Sequence, residues 1–404
     1  MGSGADDDAR PAWERPLQLA LLAYAAGVAL AVLPTGYGTD ADAYLMLRSW
    51  QELRADGVYV PSRFQGALPA ELVLGQAASL AGALGSNAVV LATALLAGAA
   101  LRSLMPHTAP RAWVLLACLL NPVVFEGSTT SMEYLPALAA FLGGLAALVQ
   151  GRGAWGVLGL ALAGATRLSY LPLGWLTWLW VAPGPPRRRA ALALATTALT
   201  TLAYVPVWLA SGRTFAFLGA TRPTAQGLVG MVARFGHDTV MTFGLTALPF
   251  VALGLWRDRA RLGAWRALPA SLPGRLGLLL VVFHLALFAW IPVDRGYLIP
   301  LVAGVALLLG TLRARDALVA WSLGSLLYGA VSLEPLVLER APAPEGVVCE
   351  RGKVTGAHVA PHLEPGATWA ALSPDEAFLR CLETERLRLA PDAVGGRLPV
   401  PPGP

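Results

Sequence analysis

Apolar residues in this chain come in long blocks. Runs at about 17–33, 88–105, 112–125, 134–149, 154–166, 170–182, 190–210, 238–256, 276–292, 298–312 and 316–333 are separated by short charged loops. Several approach the roughly 20 residues that a helix needs to cross a hydrocarbon core of about 30 Å. Of 404 residues, 56% are hydrophobic and only 14% charged, and the mean hydropathy is +0.57. A soluble domain carries about 25% charged residues. A soluble helical repeat would also need a fixed period and a polar face, and the runs have neither. The pattern predicts an all-α polytopic membrane protein with about eleven transmembrane helices.

A further run, 68–86, is ambiguous, and arginine placement resolves it, because cytoplasmic loops are enriched in Arg and Lys. With the N-terminus inside and 68–86 not spanning, the inner loops hold fifteen arginines: Arg10, Arg15, Arg102, Arg111, Arg152, Arg187, Arg188, Arg189, Arg257, Arg259, Arg261, Arg266, Arg275, Arg313 and Arg315. The outer loops before residue 334 hold eight: Arg48, Arg54, Arg63, Arg167, Arg213, Arg222, Arg234 and Arg295. A spanning 68–86 would turn the later arginine clusters outward. The segment is therefore expected in the outer interface or as a re-entrant turn.

The expected organisation is a disordered cytoplasmic N-terminus (1–16), a transmembrane domain (17–333) and an extracytoplasmic C-terminal tail (334–404). Residues 34–87 of the transmembrane domain form a first extracytoplasmic loop with interfacial helices. Nothing resembles a cleaved signal peptide, so the first run is read as an uncleaved anchor. Cys349 and Cys381 lie in the tail, where an oxidising compartment permits a disulfide. The net charge of +5 and pI near 9.4 do not imply nucleic acid, because the basic residues gather on no single soluble region.

This topology places most chemically informative residues on the outer side. The stretch from Tyr37 to Glu71 is a dense polar island in an apolar chain. Asp40 and Asp42 follow the first run. Either is placed to act as a general acid or base, and Asp40 can equally cap the helix read from Ala43 to Ala55. Tyr44 and Arg48 can hold or screen the carboxylate. Arg63 lies in a loop between two prolines, where a guanidinium fork suits a phosphate or a carboxylate, or a lipid headgroup. Glu126 and Glu133 bracket a GSTTS turn, and Glu133 can serve the next helix dipole or bind substrate hydroxyls. Arg167, in a short apolar hairpin, needs a partner: an acid from the first or second outer loop, or an anionic ligand. Asp294, Arg295 and Tyr297 sit between two late runs. The segment 211–237 reads as a mobile loop. No HExxH, CxxC, P-loop or GxSxG pattern occurs, and no protein-built zinc site is expected.

Taken in order, these segments resemble the GT-C superfamily of membrane glycosyltransferases. DADAY, at Asp40 to Tyr44, resembles the family's acidic motif after the first span. GVYVPSRFQGALPAELVLG carries a similar PSR-x-x-G-x-P stretch with Arg63. NPVVFEGSTTSMEYLP resembles the second outer loop, with Glu133 at its acid. GATRLSYLPL is similar to a TR-containing segment, with Arg167 at its arginine. DRGYLIPLV resembles a late RYLLP segment, with Arg295 and Tyr297 in the matching places and Gly296 interrupting it. The resemblance covers about residues 17–333.

It implies inverting transfer of one sugar from a polyprenyl-phosphate donor to a lipid, glycan or protein acceptor, outside the cytoplasmic (inner) membrane of a bacterium. Asp40 or Asp42 would be the base. Tyr44, Arg63, Glu133, Arg167, Arg295 and Tyr297 would bind the donor phosphate and the substrates. No cofactor is required, and a divalent metal, used by some relatives, stays open. Membrane lipids are implied as partners and nucleic acid is not. Two other classes compete: a transporter or flippase of glycolipids or solutes, and a non-catalytic membrane scaffold.

Overall fold

Lipid offers the backbone no hydrogen-bond partners, so a chain of this composition must satisfy its amides internally. The computed structural model does so with helices. It describes residues 11–34, 37, 41–62, 65–214, 228–245, 247–291 and 294–330, and among the described residues there is no strand. The expected Cys349–Cys381 pair and the tail lie outside the described residues.

In chain order the helices are α1 (Glu14–Val32), α2 (Ala41–Asp56), α3 (Leu68–Leu104), α4 (Arg111–Leu119), α5 (Pro122–Ser128), α6 (Tyr134–Val149), α7 (Gly153–Thr166) and α8 (Tyr170–Leu176). There follow α9 (Pro186–Ala203), α10 (Val205–Ala210), α11 (Leu228–Phe243), α12 (Ala247–Arg257), α13 (Arg259–Leu262), α14 (Leu272–Trp290), α15 (Ile299–Thr311) and α16 (Arg315–Ala330). A π-helical turn, Thr177–Val181, follows α8, and 3-10 segments at Gly263–Ala270 and Arg295–Leu298 precede α14 and α15.

Three helices, α1, α3 and α14, are long and apolar enough to cross a membrane, and α11 with α12 makes a fourth candidate bent by 71°. Other apolar runs are carried by shorter or interrupted helices with local causes. Asn121 and Pro122 separate α4 from α5. The Asn121 side chain accepts from the Val123 and Val124 amides at 3.1 and 3.3 Å, and its own amide donates to the Thr242 carbonyl. Pro122 then occupies a first-turn position that needs no N–H. The run 238–256, expected as one span, instead starts earlier and breaks. Arg234 and His237, expected on a loop, lie on α11. Gly244 ends that helix at φ +78°, and its missing Cβ leaves room for the Tyr328 ring.

Outward faces are apolar: Leu194 and Trp290 are each 71% exposed. Surfaces of this kind belong against lipid or a partner. Inward, small residues let helices close up, as in many membrane bundles. A Cβ on Gly159 of α7 would lie 2.6 Å from the Gly144 Cα of α6.

The ambiguous run 68–86 joins the next run as α3, but the backbone breaks at Ala81 and Gly82, which leave helical geometry. Residues 68–80 thus form a short first arm. Across it lies α2, where the Trp50 Nε1 donates to Ser79 Oγ at 2.8 Å and the Trp50 side chain occupies the space that a Cβ on Gly75 would need.

Contacts join residues expected on one side of the membrane. Glu14 receives Trp113 and Arg315, Arg313 donates to Thr108, and Asp258 accepts from Arg261 and the Ala317 amide. At the far end of α1, the Leu33 carbonyl accepts from Asn87 and the Tyr37 carbonyl from the Ser131 amide.

Candidate functional site

An arginine in an apolar hairpin has to find a counter-charge. Arg167 caps α7 in an extended conformation, and it pairs with Glu133, the residue before α6. Arg167 is 9% exposed and Glu133 2%. The partner is thus the acid that precedes α6, one of the options open from sequence.

Glu133 is positioned by its neighbour Ser131. The Ser131 amide donates to the Tyr37 carbonyl at 2.6 Å, and its hydroxyl lies 2.7 Å from Ser86 Oγ and 2.8 Å from Asn87 Oδ1. The exit of α1, the second arm of α3 and the approach to α6 meet at this serine.

Two aromatic rings flank the guanidinium. Arg167 Cζ lies 4.0 Å from the Tyr134 ring centroid and 4.4 Å from that of Tyr297. Both are cation–π distances. The Tyr134 hydroxyl donates to Asp294 Oδ2, while Asp294 Oδ1 accepts from the Gly296 amide at 2.7 Å. Asp294 thereby caps the 3-10 turn that carries Arg295 and Tyr297. A Cβ on Gly296 would lie 2.5 Å from the Tyr134 ring. The glycine that interrupts the sequence motif is thus a packing requirement of this site. A small cavity, with room for about one water molecule, opens beside Arg167 between Tyr170, His284 and Tyr297.

The first loop reaches the same hairpin. Glu71, on the first turn of α3 and 1% exposed, collects four donors. They are the Tyr59 hydroxyl (2.6 Å), the Ser62 amide (3.0 Å), the Ser62 hydroxyl (2.5 Å) and the Ala67 amide (3.1 Å). Burial, together with the Glu71 carboxylate, pushes the Tyr59 hydroxyl above its usual range, so Tyr59 keeps its proton and remains a donor. Tyr59 packs against the Tyr204–Val207 cluster, as Leu168 does, and the Tyr204 hydroxyl donates to the Gly164 carbonyl of α7 at 3.2 Å. Gly66 closes the loop at φ +61°, where a Cβ would meet the Tyr59 hydroxyl at 2.7 Å. Glu71 thus ties Ser62 to Ala67 across the loop.

The structure brings together Glu133, Arg167 and Tyr297, with Arg295 on the same 3-10 turn. Asp42 sits in the first turn of α2, and Tyr44 is on that helix. Asp40 and Arg63 lie outside the described residues. Sequence reasoning gave no site role to Tyr134, Asp294, Glu71, Tyr59, Tyr170 or His284. Tyr134 and Asp294 adjoin residues that were singled out, and Glu71 was quoted with its loop. Nothing in the sequence joins His284, in the middle of an apolar run, to Tyr170. Among the described residues no three His, Cys, Asp or Glu side chains form a metal-binding group.

No family model and no curated protein matches the sequence. A solved structure does match in fold: ArnT from Cupriavidus metallidurans in the apo state, with a TM-score of 0.53 and 18% identity. The match covers 74% of this chain and 59% of that chain, so this chain spans less than two thirds of its length. The likeness is one of fold.

Proposed function

We propose that this chain is an integral membrane glycosyltransferase of the GT-C type. It would move a sugar from a polyprenyl-phosphate donor to an acceptor at the extracytoplasmic face. The observation that carries this reading is the buried Glu133–Arg167 pair, held between Tyr134 and Tyr297 on a GT-C-like fold. The first loop and the Arg167 turn pack on the same cluster, through Tyr59 and Leu168.

In this reading the chain crosses the inner membrane eleven times, with its N-terminus cytoplasmic and residues 334–404 outside. Residues 34–87 form the outer layer over the site. Asp40 or Asp42 takes the proton from the acceptor hydroxyl. The acceptor oxygen bonds to the anomeric carbon on the face opposite the phosphate. The bond from that carbon to the phosphate oxygen breaks, and polyprenyl phosphate leaves with the electron pair. Glu133 balances the charge of Arg167, so that pair shapes the site, and we assign the leaving phosphate to Arg63 and Arg295. Tyr44 lies on the base's side of the site. The lipid tail of the donor lies between helices with apolar outer faces. A divalent metal at the aspartates is compatible with this scheme, which routes no step through it.

The test is transfer by purified protein in nanodiscs, supplied with polyprenyl-phosphate sugars and a mixed lipid and glycan acceptor pool. Turnover is expected, and it should be lost in Asp40→Ala or in Asp42→Ala. Full activity in both variants, or solute flux without a chemical product, would sink the reading.

A further inference from the structure

The small cavity beside Arg167 is lined by two residues with a buried polar atom that has no partner among the described residues. The Tyr170 hydroxyl and His284 Nε2 are both buried and unbonded, and both side chains line it. Each residue is 2% exposed. Orphaned buried polar atoms are costly, and two around one cavity mark a missing partner.

The chemistry of that partner follows from the other side of the imidazole. His284 Nδ1 lies 3.1 Å from the Tyr297 carbonyl. A carbonyl only accepts, so Nδ1 carries the proton, and in the neutral ring Nε2 presents a lone pair. The hydroxyl of Tyr170, which lines the same cavity, both donates and accepts. Its ring is held by Phe141 at 5.5 Å and by His284 at 6.0 Å between centroids. An acceptor and a donor-acceptor on one small cavity suit a hydroxyl, which donates to Nε2 and accepts from Tyr170. A phosphate oxygen would meet the Nε2 lone pair and is disfavoured.

We propose that Tyr170 and His284 form a subsite for a single neutral hydroxyl group next to Arg167. Water fills it when no substrate is bound, and a sugar hydroxyl of the donor replaces that water. The assignment to a sugar rests on the proposed glycosyltransferase reading; the hydroxyl chemistry rests on the cavity alone. The subsite would make Tyr170 and His284 specificity residues that sense whether one ring position carries a hydroxyl. A site built to hydrogen-bond a hydroxyl discriminates strongly against ligands that lack it.

The test uses the full chain in nanodiscs. A high-resolution cryo-EM map without ligand should show one density peak within hydrogen-bonding distance of both atoms. An empty cavity, or density the size of a phosphate, would overturn the proposal. Binding is then measured for a short-chain prenyl phosphate, the same lipid bearing glucose or mannose, and its monodeoxy series. Tyr170→Phe keeps the ring packing, and His284→Asn keeps a donor to the Tyr297 carbonyl. Each should weaken the sugar-bearing probe by about tenfold and leave the bare prenyl phosphate unchanged. One deoxy probe should show the same loss on the wild type and no further loss on the variants. Equal weakening of the bare prenyl phosphate would overturn the proposal, because the cavity would then read phosphate. A persistent peak with unaltered sugar binding would identify the hydroxyl as that of water. If the wild type binds no sugar-bearing probe, the glycosyltransferase reading fails, and the map alone decides the subsite.

Discussion

Two buried acid–arginine pairs mark the two ends of α1, and they are built for different work. At its start, Glu14 accepts from Gln18 (3.2 Å), Trp113 (2.6 Å) and Arg315 (2.8 Å), which ties α1 to α4 and α16. Arg315 is 30% exposed there. At the other end, about 28 Å away by helix rise, the Tyr37 carbonyl anchors the loop of Glu133. Its partner Arg167 is buried between two tyrosine rings and lines a cavity. The same ion pair is a rivet between helices in one place and the wall of a chamber in the other. Burial alone does not separate the two roles, but the surroundings do.

The largest expected effect comes from removing one charge at each end. Arg167→Met strands a buried carboxylate, which costs about 3–5 kcal/mol, and transfer should fall by about a hundredfold as the site loses its shape. Replacing both members, Glu133→Leu with Arg167→Met, should restore much of the stability and none of the turnover. Arg315→Met should cost about 1–2 kcal/mol, since its partner keeps two other donors, and leave turnover per folded molecule unchanged. Thermal unfolding in detergent, read beside turnover, checks both. Loss of turnover in Arg315→Met at an unchanged melting temperature would break the comparison.

Next in size is Glu71→Gln. The carboxylate gathers four donors around the Arg63 segment, and a carboxamide offers one acceptor oxygen instead of two. The expected outcome is about 2 kcal/mol of lost stability and a rise of about tenfold in KM for the lipid donor, with a smaller change in kcat. A fall in kcat alone would instead place this loop at the chemical step.

How far the sequence showed this contrast depends on which physics carries each part. The helical membrane class was legible, because apolar run length is set by bilayer thickness. That Arg167 must find an acid was also legible, from the cost of burying a guanidinium, and the acid of the GSTTS turn was among the options. The Asn121–Pro122 break was legible as the end of a span, and the breaks at Ala81–Gly82 and Gly244 were less so. A run of apolar residues does not reveal where its helix bends, and 238–256 gave no sign of the 71° bend between α11 and α12. The sequence was silent on His284 and Tyr170. They lie 114 positions apart, and what makes them a pair is a shared cavity.

Gly296→Ala tests whether the tyrosine walls are as tight as they look. The new methyl would lie 2.5 Å from the Tyr134 ring, so the ring or the 3-10 turn must shift, at a cost of about 1–3 kcal/mol. Turnover should drop about tenfold as the Tyr297 face moves off Arg167. Gly263→Ala is a control, because a Cβ there meets nothing within 4 Å. Equal behaviour of the two alanines would mean that the walls yield freely.

The smallest effect makes the sharpest comparison, because the same deletion can be made at each end. Tyr134→Phe removes the hydroxyl that donates to Asp294 and keeps the ring against Arg167. Trp113→Phe removes the indole N–H that donates to Glu14 and keeps an aromatic ring in place. Both delete one hydrogen bond to a buried or half-buried carboxylate, worth about 1.5–3 kcal/mol, so the two melting temperatures should fall by similar amounts. Their kinetics should part. In Tyr134→Phe, Asp294 still caps the turn through Gly296, but its second oxygen loses a donor and the turn bearing Arg295 and Tyr297 loosens, so kcat should fall several-fold. In Trp113→Phe the loosened contact lies a helix length from the site, and kcat should not change. Matched losses of kcat would show that the two ends are mechanically coupled through α1. Matched retention would show that Asp294 needs only its cap, and that Arg167 is held by the tyrosine faces rather than by the hydroxyl.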